Sequence, residues 1–378
     1  MSTTKRILYI IIVTAIGTIA VACLPKKSYL FKALWYNFAN IDDYKKFENN
    51  PVNINKPQPW KIANTYNQIA YPDTINQLLE TLSTVGLLII KNDSIQLEKY
   101  WDEYNQRSLS GSFSMAKSIT SILIGIALQE NKIKSLQEPV GNYIPEFKIG
   151  KKSAVKIIDL LTMSSGSNWN ESYMNPFSIT TESYYGDDLY NCAVNGIDIV
   201  NTPGTLLRYK SGDTQLLGLI LEQATKQSLS QYASEKLWQA IGAETTALWS
   251  TDKKNGHEKA FCCFNSNVRD FARIGKLMLN KGLWNNKKII DSNYVKQSIT
   301  PCGITDNNGQ KCDYYGYQWW IDPLHPDIFY ARGILGQYII VIPKKQTIIV
   351  RLGKMTHPQR IHTVPKEVRY LINWGLNL

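Results

Sequence analysis

The apolar and polar positions of the chain fall into two periods. VGLLIIKNDSIQLEKYW (Val85–Trp101) reads as two strands meeting at Asn92-Asp93, a hairpin signal. Ile119, Ile122, Leu123, Ile126 and Ala127 then recur at helical spacing. The middle, about 131–300, is rich in helical patterns, clearest over Thr214–Trp238 and over Asn267–Gly282, where Gly282 is placed as a C-cap. Strand patterns return in YYGYQWWID, IFYAR, QYIIVIP and QTIIVRLG; a turn at Pro343–Lys345 joins the last two, and VPKEVRYLINWGL predicts a closing helix. Strands early and late with helices between predict an α+β fold: an antiparallel β-sheet flanked by helices, with an inserted mainly helical region at about 131–300. A groove between the sheet and the helical part is the natural ligand site. Residues 25–80, rich in Asn, Pro and Lys, read as an irregular lead-in to a domain over 81–378. No internal repeat or low-complexity tract interrupts it.

One stretch belongs to neither period. Ile7–Leu24 carries no charge and follows Lys5-Arg6, which makes it just long enough to cross a bilayer. It contains Ala20-Val21-Ala22, a pattern typical of signal cleavage. An uncleaved transmembrane anchor, cleavage after Ala22 and lipidation of Cys23 all fit. Each sends residues 25–378 out of the cytoplasm, to the cell envelope or beyond, with the membrane as a partner if the segment stays.

Composition changes this picture little. The 378 residues are 44% hydrophobic and 19% charged, ordinary globular values. The net charge of +11 is spread without a long basic run, and no nucleic-acid-binding signature accompanies it, so nucleic acid is not expected. A lysine-rich surface is the plain reading, and a weak attraction to anionic lipid the next. None of the six cysteines has the paired spacing of a zinc site. Cys302 and Cys312 either bridge a loop or are two free thiols; Cys262 and Cys263 read as core.

The candidate chemistry begins at SFSMAKSITSILIG (Ser112–Gly125). On a helix, positions three apart share a face about 5–6 Å apart, so Lys117 can reach the Ser114 hydroxyl. A serine needs a base to become a nucleophile, and a lysine is such a base only when burial or a nearby cation lowers its pKa. The apolar neighbours Phe113, Met115 and Ile119 favour burial, and a helix N-terminus at Ser114 favours a developing anion. Alone, this spacing is also that of an ordinary N-cap serine and a surface lysine. Company changes the balance. Tyr209-Lys210-Ser211 sits on a turn before a long apolar helix, where a tyrosine can share a proton with Ser114 and Lys117. YARGILGQYIIVIP (Tyr330–Pro343) reads as strand, glycine turn and strand, and its edge can offer a backbone N–H to an oxyanion.

Five ordered stretches over roughly 80–378 carry a resemblance: SFSMAKSITSILIGIAL, IIDLLTMSSGSNW, TPGTLLRYKSGDTQLLGLILE, FCCFNSNVRDFARIGKLMLNKG and ARGILGQYIIVIP. The chain resembles the serine β-lactamase-like hydrolases (class C β-lactamases, D,D-peptidases and esterases), and within them most looks like the 6-aminohexanoate-dimer hydrolase branch. That resemblance implies a β-lactamase/transpeptidase-like sandwich and a serine hydrolase acting on a small ester or amide through an acyl-enzyme. It makes Ser114 the nucleophile, Lys117 the proton acceptor and Tyr209 the residue that protonates the leaving group. The backbone N–H groups of Ser114 and Ile334 become the oxyanion hole. Trp169, Ser211 and Gly333 are implied as substrate-binding positions. No metal or organic cofactor is implied.

Two departures from the family pattern bear on substrate. Ser211 stands where β-lactamases carry Asn. Ala331-Arg332-Gly333 stands where they carry Lys-Thr-Gly or His-x-Gly, and strand alternation turns Arg332 to the other face. A site without that cation suits an ester or amide lacking an obligatory carboxylate. A penicillin-recognising D,D-peptidase or β-lactamase is the first alternative, and a non-catalytic envelope binding protein on the same fold the second. The four histidines are scattered and no G-x-S-x-G elbow surrounds Ser114, which argues against a histidine triad. Asp187-Asp188 read as a solvated loop, and Tyr314–Trp320 mainly as core. The oligomeric state is not readable from these patterns.

Overall fold

Asn92 and Asp93 both take positive φ (49° and 60°), and this tight turn folds Thr84–Lys91 antiparallel onto Ser94–Tyr100. That hairpin sits in a seven-stranded sheet of order Trp320–Asp322, His325–Gly333, Gln337–Ile342, Thr347–Gly353, Thr84–Lys91, Ser94–Tyr100, Lys61–Ile62. All neighbours are antiparallel except Lys61–Ile62, which runs parallel to Ser94–Tyr100. The early hairpin and the late strands meet where Thr347–Gly353 pairs with Thr84–Lys91, as in Ile349↔Ile89. The computed structural model describes Gly17, residues 28–70 and residues 72–378. The apolar segment 7–24 and Cys23 therefore lie outside the described residues apart from Gly17; among those described, no helix is long and apolar enough to cross a membrane.

Strand alternation divides the core in two. Leu88, Ile90, Ile339, Val341, Ile348 and Val350 face the larger cluster, shared with the helices Met115–Gln129, Ser211–Thr225 and Val268–Leu279. Leu87, Ile89, Tyr338, Ile340 and Ile349 face the smaller one, closed by Asp73–Thr81 and the C-terminal helix Lys366–Leu376. The result is the expected α+β sandwich: one sheet with helices on both faces, and a mainly helical region inserted between its early and late strands. Met115–Gln129 is the axis of that region, and every residue from Met115 to Ala127 is buried.

Four features depart from the periodicity. Residues 25–80, expected to be irregular, supply a helix at Tyr29–Tyr36, the helix Asp73–Thr81, the strand Lys61–Ile62 and a strand at Asn49–Val52. Asn49–Val52 pairs with Ala247–Ser250 in a second, four-stranded sheet completed by Phe264–Ser266 and Ser110–Gly111. The pattern Thr214–Trp238 is not one helix. Lys226 takes a left-handed turn (φ 60°) after Thr225, and the Ser228 side chain caps a new helix by accepting from the Gln231 N–H. The helix expected to reach Gly282 ends at Leu279, and Gly282, at φ 87°, donates its N–H back to the Leu277 carbonyl. Cys262 and Cys263 are buried as expected but are also joined to each other, whereas Cys302 and Cys312 are free thiols lying side by side.

Candidate active site

Ser114 begins the Met115–Gln129 helix, and Lys117 lies one turn on, buried beneath it. The lysine Nζ is 3.0 Å from Ser114 Oγ, 3.1 Å from Ser211 Oγ and 2.9 Å from the Phe261 carbonyl. Burial pushes its pKa down to about 8, against the opposing pull of the Glu171 carboxylate. A neutral amine there has two protons for Ser211 and Phe261 and a lone pair for the Ser114 hydroxyl.

Tyr209 closes the group from the far side. Its ring is packed by Trp320 and Tyr315, with centroids 5.5 and 6.0 Å away, and the Lys117 nitrogen stands 5.1 Å from its centre. Burial raises the phenol's pKa, while a hydrogen bond with the Ser114 side chain and the charge of Arg332 pull it back. Alternation turns Lys210 away from the site: its Nζ donates to Ser165 Oγ at 3.0 Å and lies 3.8 Å from the buried Asp213 carboxylate. Ser211 returns to the site at the start of the next helix. The residue after it has to be glycine, because a Cβ on Gly212 would lie 2.3 Å from the Trp169 ring.

The sheet supplies the third wall. A Cβ on Gly333 would lie 2.2 Å from the Ser112 carbonyl, so the glycine lets this strand end run directly beside the serine-bearing segment. Ile334 follows and lines the same cavity as Ser114 and Ser211. Phe113, just before the serine, and Leu335, just after Ile334, both hold positive φ (44° and 62°), backbone that bulky residues seldom adopt. Arg351, fully buried, braces the Leu335 turn: its guanidinium donates to the carbonyls of Gly336, Met355 and Leu82 and to Thr84 Oγ1.

The structure thus brings Ser114, Lys117, Tyr209, Ser211, Gly333 and Ile334 together. Trp169 is set behind them. It is buried against Gly212, and its indole N–H reaches Glu171 Oε2 and Thr180 Oγ1, both at 3.0 Å; Tyr173 and Met174 stand in the cavity wall instead. Arg332 lies with Tyr330 on the opposite face, as alternation predicts, stacked 4.9 Å over Trp320. Its charge still reaches round the sheet edge to Tyr209 and Tyr173. Sequence reasoning missed Glu171, whose two oxygens accept from the backbone N–H and hydroxyl of Ser211. The only sequence signal was an acid two residues after Trp169 in a polar loop. The cavity holds about 450 Å³ and is predominantly apolar, including Phe113, Phe261, Leu335 and Tyr184.

This fold and site define a class. The chain belongs to the Beta-lactamase family, whose model matches residues 73–369, and is of the serine-hydrolase type within it. The 6-aminohexanoate-dimer hydrolase of Paenarthrobacter ureafaciens is 24% identical over 308 residues, 77% of each chain. Among solved structures, a Bacillus anthracis protein provisionally assigned as a 6-aminohexanoate-dimer hydrolase superposes with a TM-score of 0.71 at 22% identity, covering 89% of this chain and 92% of its own. A family VIII carboxylesterase superposes at 0.65 with 16% identity, over 84% of this chain and 99% of its own. These likenesses are of fold.

Proposed function

We propose that the protein cleaves an ester or amide through an acyl-enzyme on Ser114, in the manner of the aminohexanoate-dimer hydrolase and esterase branch. The observation that carries the reading is the buried Lys117 amine 3.0 Å from Ser114 Oγ with its pKa lowered to about 8. Neutral Lys117 takes the hydroxyl proton as Oγ bonds to the substrate carbonyl carbon. The backbone N–H groups of Ser114 and Ile334 receive the oxyanion. Collapse breaks the bond to the leaving alcohol or amine, which takes its proton from Tyr209, and Lys117 returns a proton to the phenolate. Water then attacks the acyl carbon by the same route in reverse. We further propose that this chemistry occurs outside the cytoplasm, with residues 7–24 as anchor or export signal.

The purified chain is expected to turn over a nitrophenyl ester and to gain the acyl mass on Ser114, and Ser114→Ala to lose both. Undiminished turnover by Ser114→Ala refutes the reading. A second reading, a penicillin-recognising peptidase, has one observation in its favour: although Arg332 lies on the opposite face, its charge reaches Tyr209 and Tyr173 at the site. Stoichiometric labelling of Ser114 by a fluorescent penicillin supports that reading over the first.

A further inference from the structure

The mouth of the catalytic cavity is apolar in a way that catalysis does not explain. One side is built by the helix Tyr29–Tyr36 and the residues just after it. This helix is held to the body by Tyr29, Leu30 and Ala33, which pack with Tyr185. Its other face and the segment after it are bare: Phe31, Leu34 and Trp35 on the helix and Phe38 beyond it are exposed, Trp35 to 85%. Across the mouth, the loop after Glu171 leaves Met174 76% exposed, with Tyr173 and Phe177 beside it. Leu34, Phe38, Tyr173 and Met174 line the cavity that contains Ser114, so the bare surface and the cavity wall are continuous. Two segments far apart in sequence thus converge on an apolar rim around one opening, the type of surface that marks a contact with membrane or protein.

The chain itself says which. The uncharged stretch Ile7–Leu24 ends five residues before Tyr29, and five residues span at most about 18 Å. Whatever holds that stretch holds the rim close by. Lys26 and Lys27 precede the helix in sequence and Lys32 lies within it, exposed, in a chain of net charge +11, which suits an anionic lipid surface better than a basic partner. A tryptophan on the bare face is the residue type that settles at a lipid–water boundary.

We propose that the rim rests on the bilayer and that the substrate is a membrane-borne ester or amide whose long acyl chain enters the apolar cavity from the lipid. This rests on the hydrolase reading above and adds the acyl chain and its source. An apolar chain moving from bilayer to cavity never crosses water. The acyl chain then lies along the apolar wall and the scissile carbonyl reaches Ser114, which lines the same cavity.

The test uses the full chain in phosphatidylglycerol-containing vesicles with nitrophenyl acetate or nitrophenyl dodecanoate. The wild type is expected to favour dodecanoate by about tenfold or more in kcat/KM, since burying two methylenes already amounts to about that factor. Trp35→Glu and Phe177→Glu alter the bare surface outside the cavity wall. Each is expected to lower dodecanoate turnover about fivefold or more while acetate turnover stays within about twofold. Equal rates for the two chain lengths, or dodecanoate rates untouched in both variants, overturn the inference while leaving the hydrolase intact. Loss of acetate turnover in both variants would mean a damaged fold; Trp35→Ser and Phe177→Ser then replace them and must show the same selective loss. Absence of turnover for both esters in the wild type removes the hydrolase reading, and this inference with it.

Discussion

Ser211 gives both its backbone N–H and its hydroxyl to the carboxylate of Glu171, each at 2.6 Å, while its oxygen lies 3.1 Å from Lys117 Nζ. One hydroxyl therefore separates the candidate base from a carboxylate on a surface loop. The negative charge favours the protonated lysine and so works against burial. Glu171→Gln removes the charge and leaves a group that can still accept from Ser211. The Lys117 pKa should fall further below about 8, and the acid limb of the kcat/KM–pH profile should move to lower pH. An unmoved or raised limb in stopped-time assays of a nitrophenyl ester would separate Glu171 from the lysine's titration.

Tyr209→Phe keeps the ring between Trp320 and Tyr315 and removes only the hydroxyl. If the phenol protonates the leaving group, amide hydrolysis should fall by about 10²–10⁴. Hydrolysis of a nitrophenyl ester, whose leaving group departs as a stable anion, should fall much less. Parallel progress curves on an anilide and an ester of the same acid decide the matter; equal losses would assign the hydroxyl a role before bond cleavage.

Arg351 ties the turn bearing Ile334 to the sheet through the Gly336, Met355 and Leu82 carbonyls. Arg351→Lys keeps a charge but cannot spread donors across the same fork. Leaving buried carbonyls unpaired should cost about 1–3 kcal/mol of stability in urea titration. If the Ile334 N–H on this turn receives the oxyanion as proposed, kcat should fall with KM little changed. A KM effect alone would mean that the turn serves substrate binding instead.

Lys259 is buried outside the site, donating to the Thr251 carbonyl at 3.0 Å with its nitrogen 3.6 Å from the centre of the Phe47 ring. Burial pushes its pKa down from 10.5 to about 7. Between those values the unfolded chain holds the proton more tightly than the folded one, so this residue's contribution to stability rises with pH. Lys117 adds a rise of the same sign above about 8, which remains in the comparison. Lys259→Met should be more stable than the wild type at pH 6, with the gap narrowing by pH 10 in denaturant titrations. A constant gap would contradict the depressed value.

The sequence reveals what is periodic or chemically marked. The hairpin at Asn92-Asp93, the late strands, the helix after Ser114 and the closing helix all have uninterrupted patterns or turn residues that admit one reading. The second sheet has neither. Asn49–Val52 contains two asparagines and a proline, and its stability comes from partners such as Ser250, some 200 residues away. The break at Lys226 depends on a left-handed lysine, a conformation with no sequence mark. Ser114, Lys117 and Tyr209 were legible through their neighbours, Glu171 was not: a carboxylate in a polar loop acquires meaning only once the loop docks on Ser211.

The pairing of Thr347–Gly353 with Thr84–Lys91 has a consequence for biosynthesis. Until a ribosome has added residues 334–353, the early hairpin lacks its neighbour and Ser114 lacks the Ile334 turn. A product truncated before them therefore carries Ser114 and Lys117 without the wall that Ile334 and Leu335 supply. The cavity wall around Ser114 thus waits on a segment made more than 200 residues after the serine itself.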